Sequence, residues 1–173
     1  AKNSPHLEVF RQRGIEVLLL SDRIDEWLVA HLTEFASIPL QSITKSNLDL
    51  TKIENESHKK EVEEKVETFK SLTERIQRTL ADQIKAVKLS HRLTQSPACL
   101  VSDENEMGQQ MQRILKASGQ QITPTKPILE INPTHPFILK LQNESDENQF
   151  KDWSEILFDQ AVLAEGGQLN DPA

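Results

Sequence analysis

Val87-Lys88-Leu89-Ser90-His91-Arg92-Leu93 alternates apolar and polar side chains, the pattern of a strand with one face buried. Pro97 breaks the pattern, and Ala98-Cys99-Leu100-Val101 reads as a second strand, at a spacing that permits an antiparallel hairpin with the first. Pro127-Ile128-Leu129-Glu130-Ile131 is a third strand. Helical signals surround them. Upstream, Val62, Val66, Phe69, Leu72, Ile76, Leu80 and Ile84 recur every three or four residues. They run behind the alternating charges of His58-Lys59-Lys60-Glu61-Val62-Glu63-Glu64-Lys65, so a long helix with a solvated charged face is expected. Between the second and third strands, Ser102 or Asp103 caps a helix with Met107, Met111, Ile114 and Leu115 on one face and Gly119 as its stop. After the third strand, Asn132-Pro133-Thr134-His135-Pro136 turns the chain into a short helix over 137–142. A polar loop at 143–148 leads to a last helix over 150–165, stopped by Gly166-Gly167. This order predicts an α+β fold built on a small, mainly antiparallel three-stranded sheet with helices.

Before the long helix the pattern changes. Ser4 and Pro5 open a short helix that runs to Arg13 and ends at Gly14. Ile15-Glu16-Val17-Leu18-Leu19-Leu20 is nearly continuous and apolar, too short for a buried helix, and reads as a buried strand. Ser21 or Asp22 then caps a helix carrying Ile24, Trp27, Leu28 and Leu32 at helical spacing. Strand followed by helix suggests an α/β layer. Residues 39–43 form a weak strand, and the polar stretch 44–57 is a linker. The domain boundary is expected there, dividing 1–55, the end of an α/β domain, from 56–173.

The chain has 173 residues, enough for one ordinary domain or a small domain plus a piece of another. Its net charge of −7 argues against broad nucleic-acid or anionic-membrane binding, which needs excess Lys and Arg. Cys99 is the single cysteine, so an intrachain disulfide and a cysteine metal cluster are both excluded. No apolar run approaches the roughly 18 residues that span a bilayer. The chain begins without methionine and stops just after Asp171-Pro172, so both ends read as boundaries of a cut piece.

Catalytic signals are absent. His6, His31, His58, His91 and His135 make no metal-ligand spacing. Asp22, Asp25 and Glu26 fall in the first turn of a helix, where carboxylates favour the positive end of its dipole. Gly166-Gly167 lacks the Lys-Ser/Thr of a phosphate loop. Cys99 sits in an apolar strand and reads as a small hydrophobe. A small hydrolase pairing His91 with Ser90 or Cys99 is disfavoured, because neighbours on a strand point to opposite faces. No catalytic residue, metal or cofactor is expected in these residues.

Two features suggest binding instead. Met107 and Met111 are the chain's two methionines. Core packing is the plainer reading of their stripe, and an adaptable surface for many partner shapes is the sharper one. In the terminal helix, Phe150, Trp153, Ile156, Leu157, Phe158, Ala161, Val162 and Leu163 make an arc wider than one core-facing stripe. Such an arc can fold back on its own domain or anchor a subunit interface.

Several strings together resemble bacterial ninety-kilodalton heat-shock chaperones of the HtpG type. Ser4-Pro5-His6-Leu7-Glu8, Gly14 to Leu20, Asp22-Arg23-Ile24-Asp25-Glu26-Trp27 and Leu32-Thr33-Glu34-Phe35 are similar to the end of that family's middle domain. Val87 to Thr94 with Pro97-Ala98, Glu106-Met107 with Met111, and Trp153, Leu157, Asp159-Gln160-Ala161 and Leu163-Ala164-Glu165 are similar to its C-terminal dimerisation domain. The resemblance runs from Ser4 to Pro172 and is loose only near 47–60.

It implies an ATP-dependent, cytoplasmic molecular chaperone that works as a homodimer and clamps partly folded client proteins. ATP and magnesium would bind an N-terminal domain outside these residues, so the piece itself would lack ATPase activity. The client-facing positions implied are Glu26, Trp27, Met107, Met111, Ile114 and Leu115. Ala30 and Leu115 depart from the family's Asn and Phe and trim those contacts. The dimer positions implied are Phe150, Trp153, Ile156, Leu157, Gln160, Ala161 and Ala164. A second dimer helix normally follows the Asp-Pro step, so weakened dimerisation is expected of a chain ending at Ala173. A nonenzymatic scaffold binding one fixed partner through its terminal helix is the rival reading.

Overall fold

The computed structural model describes residues 2–20, 22–48, 50, 56–103, 106–121, 123 and 125–169; at 23, 26, 56–61, 63, 109 and 110 it describes the backbone only. The expected boundary at 55/56 adjoins 51–55, which lie outside the described residues. The fold is α+β.

Its centre is a three-stranded sheet of β3 (Ala86–Leu89), β4 (Ala98–Val101) and β5 (Ile128–Ile131), in the order β3-β5-β4. β5 pairs with β3 in parallel and with β4 antiparallel. The expected hairpin between the first two strands is therefore not formed, and the sheet is mixed rather than mainly antiparallel. Burial explains the insertion. All four positions of β5 are buried, which suits a central strand, while β3 keeps Lys88 in solvent, which suits an edge. The first strand also ends at Leu89, because Ser90 and Arg92 turn inward to the Glu130 carboxylate of β5.

Each face of the sheet is covered. Ala98, Leu100, Leu129 and Ile131 face a core built by three helices: α3 (Glu56–Thr79), α5 (Pro136–Gln142) and α6 (Glu147–Ala164). α3 and the turn after it supply Phe69, Leu72, Ile76, Leu80 and Ile84, and α6 supplies Phe150, Leu157 and Ala161. Each fully buried Leu, Ile or Phe contributes about 1.5–3 kcal/mol. Val66, counted in the expected stripe, is exposed. On the opposite face Cys99, Val101 and Ile128 pack with Leu93. The helices start and stop for local reasons. Asp146 caps α6 by accepting from the amides of Asn148 and Gln149, and His135 Nδ1 caps α5 by accepting from Phe137 N at 3.1 Å.

The first fifty residues are thinner. A 3₁₀ turn (Pro5–Leu7) leads into α1 (Glu8–Gln12), and Gly14 closes it with a left-handed φ of 66°. Val9, Phe10 and Leu50 make a small core with Ile15 and Val17 at its side. Residues 15–20 are not a strand, contrary to expectation, and Leu18 is 78% exposed. A strand exists only by hydrogen bonding to a neighbour, and among the described residues none lies beside this run. α2 (Arg23–His31) follows, with Asp25 accepting from the Asp22 amide at 2.9 Å. Next comes a hairpin of β1 (Glu34–Phe35) and β2 (Ile38–Pro39), turned by Ala36 and Ser37 at positive φ. The strand expected at 39–43 is thus shorter and earlier. No Gly or Asn marks that turn, which hid it from sequence reasoning.

Two clamps join these parts. The Glu8 carboxylate accepts from the consecutive amides of Thr94, Gln95 and Ser96 at 2.7, 2.7 and 3.0 Å. Burial pushes this carboxyl up, but the bonds from Ser96, Gln95 and Thr94 outweigh it and hold it below its ordinary value. Arg92, nearly fully buried, bonds Glu130 at 2.9 Å through Nε and reaches the carbonyls of Ile43 and Lys45.

Candidate functional site

The exposed large apolar side chains among the described residues concentrate between Leu18 and Leu40, a span that includes α2, and α2 packs against α4 (Gln109–Ala117). On α2, Ile24, Trp27 and Leu28 share a face by their helical spacing and stay exposed, Trp27 at 46%. The Glu26 side chain lies outside the described residues. His31 Nδ1 donates to the Trp27 carbonyl at 2.9 Å. α4 begins later than expected, with Gly108 rather than Ser102 or Asp103 at its cap position. Met107 therefore precedes the helix instead of riding on it, and is 43% exposed. Met111 and Ile114 are partly buried, and Leu115 is buried at 8%. The predicted stripe thus splits into a core anchor, Leu115, and a half-exposed remainder.

Residues that sequence reasoning missed hold this segment in place. Gln112 Nε2 donates to the Met107 carbonyl at 2.9 Å and to Thr125 Oγ1 at 2.6 Å. Arg113 donates to the Glu165 carbonyl at 3.0 Å and ties α4 to the end of α6. Lys85 Nζ sits 2.8 Å from Asp103 Oδ2 and 3.0 Å from Glu106 Oε1, and those bonds raise its pKa. None of these pairs has a sequence spacing that announces it.

α6 divides the second set of predicted residues. Phe150, Leu157 and Ala161 are buried in the core of their own chain. Trp153 is partly buried beside Phe137, at 6.0 Å between ring centroids, with Lys140 Nζ 4.7 Å above its ring. Ile156, Gln160 and Ala164 stay exposed and recur every four residues, with Leu163 beside them. An apolar outer stripe therefore exists on α6, narrower than the arc read from the sequence.

The groups suited to catalysis are used structurally. Ser90 Oγ donates to Glu130 Oε2 at 2.9 Å and accepts from the amides of Arg92 and Leu93. Cys99 is fully buried, and burial pushes its thiol well above the ordinary value, which removes the thiolate a nucleophile needs. Among the described residues no three His, Cys, Asp or Glu side chains are grouped to hold a metal ion, and no helix is long and apolar enough to cross a membrane. Two partly apolar surfaces are left, one at α2 with Met107 and one on the outer side of α6.

The family model described as "Hsp90 protein" matches residues 1–173. The chain belongs to the heat-shock protein 90 family. The "Chaperone protein HtpG" of Nitrosospira multiformis is 57% identical over 173 residues, covering 100% of this chain and 27% of the relative. Those of Aromatoleum aromaticum and Methylococcus capsulatus are each 56% identical over 173 residues, covering all of this chain and 26% and 27% of the relatives. The chain therefore spans about a quarter of the length of the curated relatives it matches. The HtpG relatives carry the word chaperone in their names.

Proposed function

We propose that this chain is the client-binding and assembly part of a longer HtpG-type chaperone. The observation that carries the reading is the contact of α2 with α4, which brings the helix of half-exposed Trp27 against the helix that starts just after half-exposed Met107 and carries partly covered Met111 and Ile114. Unbranched methionines and an indole can meet many apolar shapes, so partly folded proteins bury exposed hydrophobic surface there. Glu26 and the edge of Leu115 complete the region by family resemblance. Ala30 offers no polar contact at this surface.

The stripe of Ile156, Gln160 and Ala164 on α6, with the rim of Trp153, supports a homodimer contact in the whole protein, whereas Phe150, Leu157 and Ala161 brace that helix from behind. Two subunits then present two client surfaces to one polypeptide, and weak contacts gain from a raised effective concentration. By resemblance to the family, ATP binding and hydrolysis belong to other parts of the whole protein, with the cytoplasm as its place of work. The test is aggregation of a heat-unfolded protein in the presence of the full-length chain. Met107→Ser with Met111→Ser should cut suppression severalfold while leaving the circular dichroism unchanged; undiminished suppression refutes the reading.

A further inference from the structure

We propose that Lys45 is a positioning residue that couples the first fifty residues to the root of α4 and so sets where Met107 stands. The functional meaning rests on the client-binding reading above; the coupling itself does not.

The main chain around Lys45 is held from two sides. Ser102 N donates to the Thr44 carbonyl at 3.0 Å and Ser46 N donates to the Ser102 carbonyl at 2.9 Å, a parallel bridge at the exit of β4. From the other side Arg92 donates to the carbonyls of Ile43 and, at 2.8 Å, Lys45. Arg92 cannot swing away, because its guanidinium is buried against Glu130. Backbone 43–46 is thereby fixed to the sheet.

From that fixed point the Lys45 ammonium reaches the carbonyl of Asp103, at 3.1 Å, and the carbonyl of Glu106. Met107 is the next residue. Lys85 takes the carboxylates of the same two residues. At the same two residues, then, Lys85 bonds the carboxylates and Lys45 bonds the main-chain carbonyls. Lys85 and its partners are partly exposed, and salt screens such pairs. An ammonium on a carbonyl is an ion–dipole contact, charge-assisted and short-ranged. Any displacement of 43–46 relative to the sheet reaches residue 106 through that ammonium. α2 contacts α4 as well, so the first fifty residues touch the α4 segment twice.

The experiment is amide hydrogen exchange on the full-length protein with Lys45→Met, which keeps the stem and removes the donors, Lys45→Arg, which keeps donors, and Lys85→Met. Lys45→Met should speed exchange of amides 106–112 about tenfold while amides 98–101 and 128–131 keep their protection. Lys45→Arg should restore protection to within about twofold. Lys85→Met should have a smaller effect that vanishes in high salt. Unchanged protection at 106–112 in Lys45→Met overturns the proposal, and so does loss of protection spread evenly over the sheet, which marks a general stability role. Client suppression measured on the same variants separates the two readings. Faster exchange at 106–112 together with suppression that survives Met107→Ser and Met111→Ser upholds the positioning role and refutes the client surface.

Discussion

The sheet region and the first fifty residues carry similar runs of apolar residues and treat them oppositely. Ile128-Leu129-Glu130-Ile131 is buried throughout, whereas Leu18, Leu19 and Leu20 lie exposed in an unpaired extended run. The difference is the presence of neighbours: β5 has a strand on each side and helices above, and residues 15–20 have no strand beside them among those described. An apolar run states a demand for burial; which element meets that demand depends on the rest of the fold.

Three perturbations probe this contrast, from the largest effect down. Glu130→Ala removes the partner of buried Arg92 and takes a bond from Ser90, so it should cost about 3–5 kcal/mol in denaturant unfolding. A loss below 1 kcal/mol would mean that the carbonyls of Ile43 and Lys45 suffice for Arg92. Leu129→Ala and Leu18→Ala make the same chemical change in the two regions. The first should cost about 2–5 kcal/mol and the second less than about 0.5 kcal/mol. Equal losses would break the contrast.

Glu8→Gln should cost about 1 kcal/mol, the low end for a charged acceptor because the carboxylate is partly exposed. The sign of its pH dependence follows from the lowered folded pKa. The carboxylate contributes its stability above the ordinary value of 4.5 and loses it as pH falls through the lower folded value. The wild-type chain should thus lose part of its acid sensitivity when Glu8 becomes Gln. Identical acid titrations of the two would remove Glu8 as a clamp.

After residue 56 the sequence pattern was enough for most of the elements and much of the packing. The stripe from Phe69 to Ile84 and the terminal helix are visible by their helical period, and the strands at 98–101 and 128–131 as short apolar runs beside prolines. Strand order was not visible, because neither the alternation in β3 nor the apolar run of β4 says which strand lies between them. The split of α6 into buried Phe150, Leu157 and Ala161 and exposed Ile156, Gln160 and Ala164 needed the sheet to define a side. At the candidate site the sequence showed Trp27 and the methionines as types suited to adaptable contact. It did not show that Met107 stands ahead of its helix, nor the parts played by Gln112, Lys45 and Lys85. Their partners are backbone atoms or distant carboxylates, and no residue pattern encodes those.

On the proposed reading, partly folded protein sits on the surface formed by α2, Met107 and α4. Met107 and Met111 make this directly measurable by methionine-methyl labelling of the full-length protein, their two signals assigned through Met107→Leu and Met111→Leu. Titrating a permanently unfolded polypeptide into the labelled protein should broaden or shift both methyl signals, together with the Trp27 indole, and leave the Trp153 indole unmoved. Binding that perturbs Trp153 and leaves both methyls and Trp27 unchanged would contradict it.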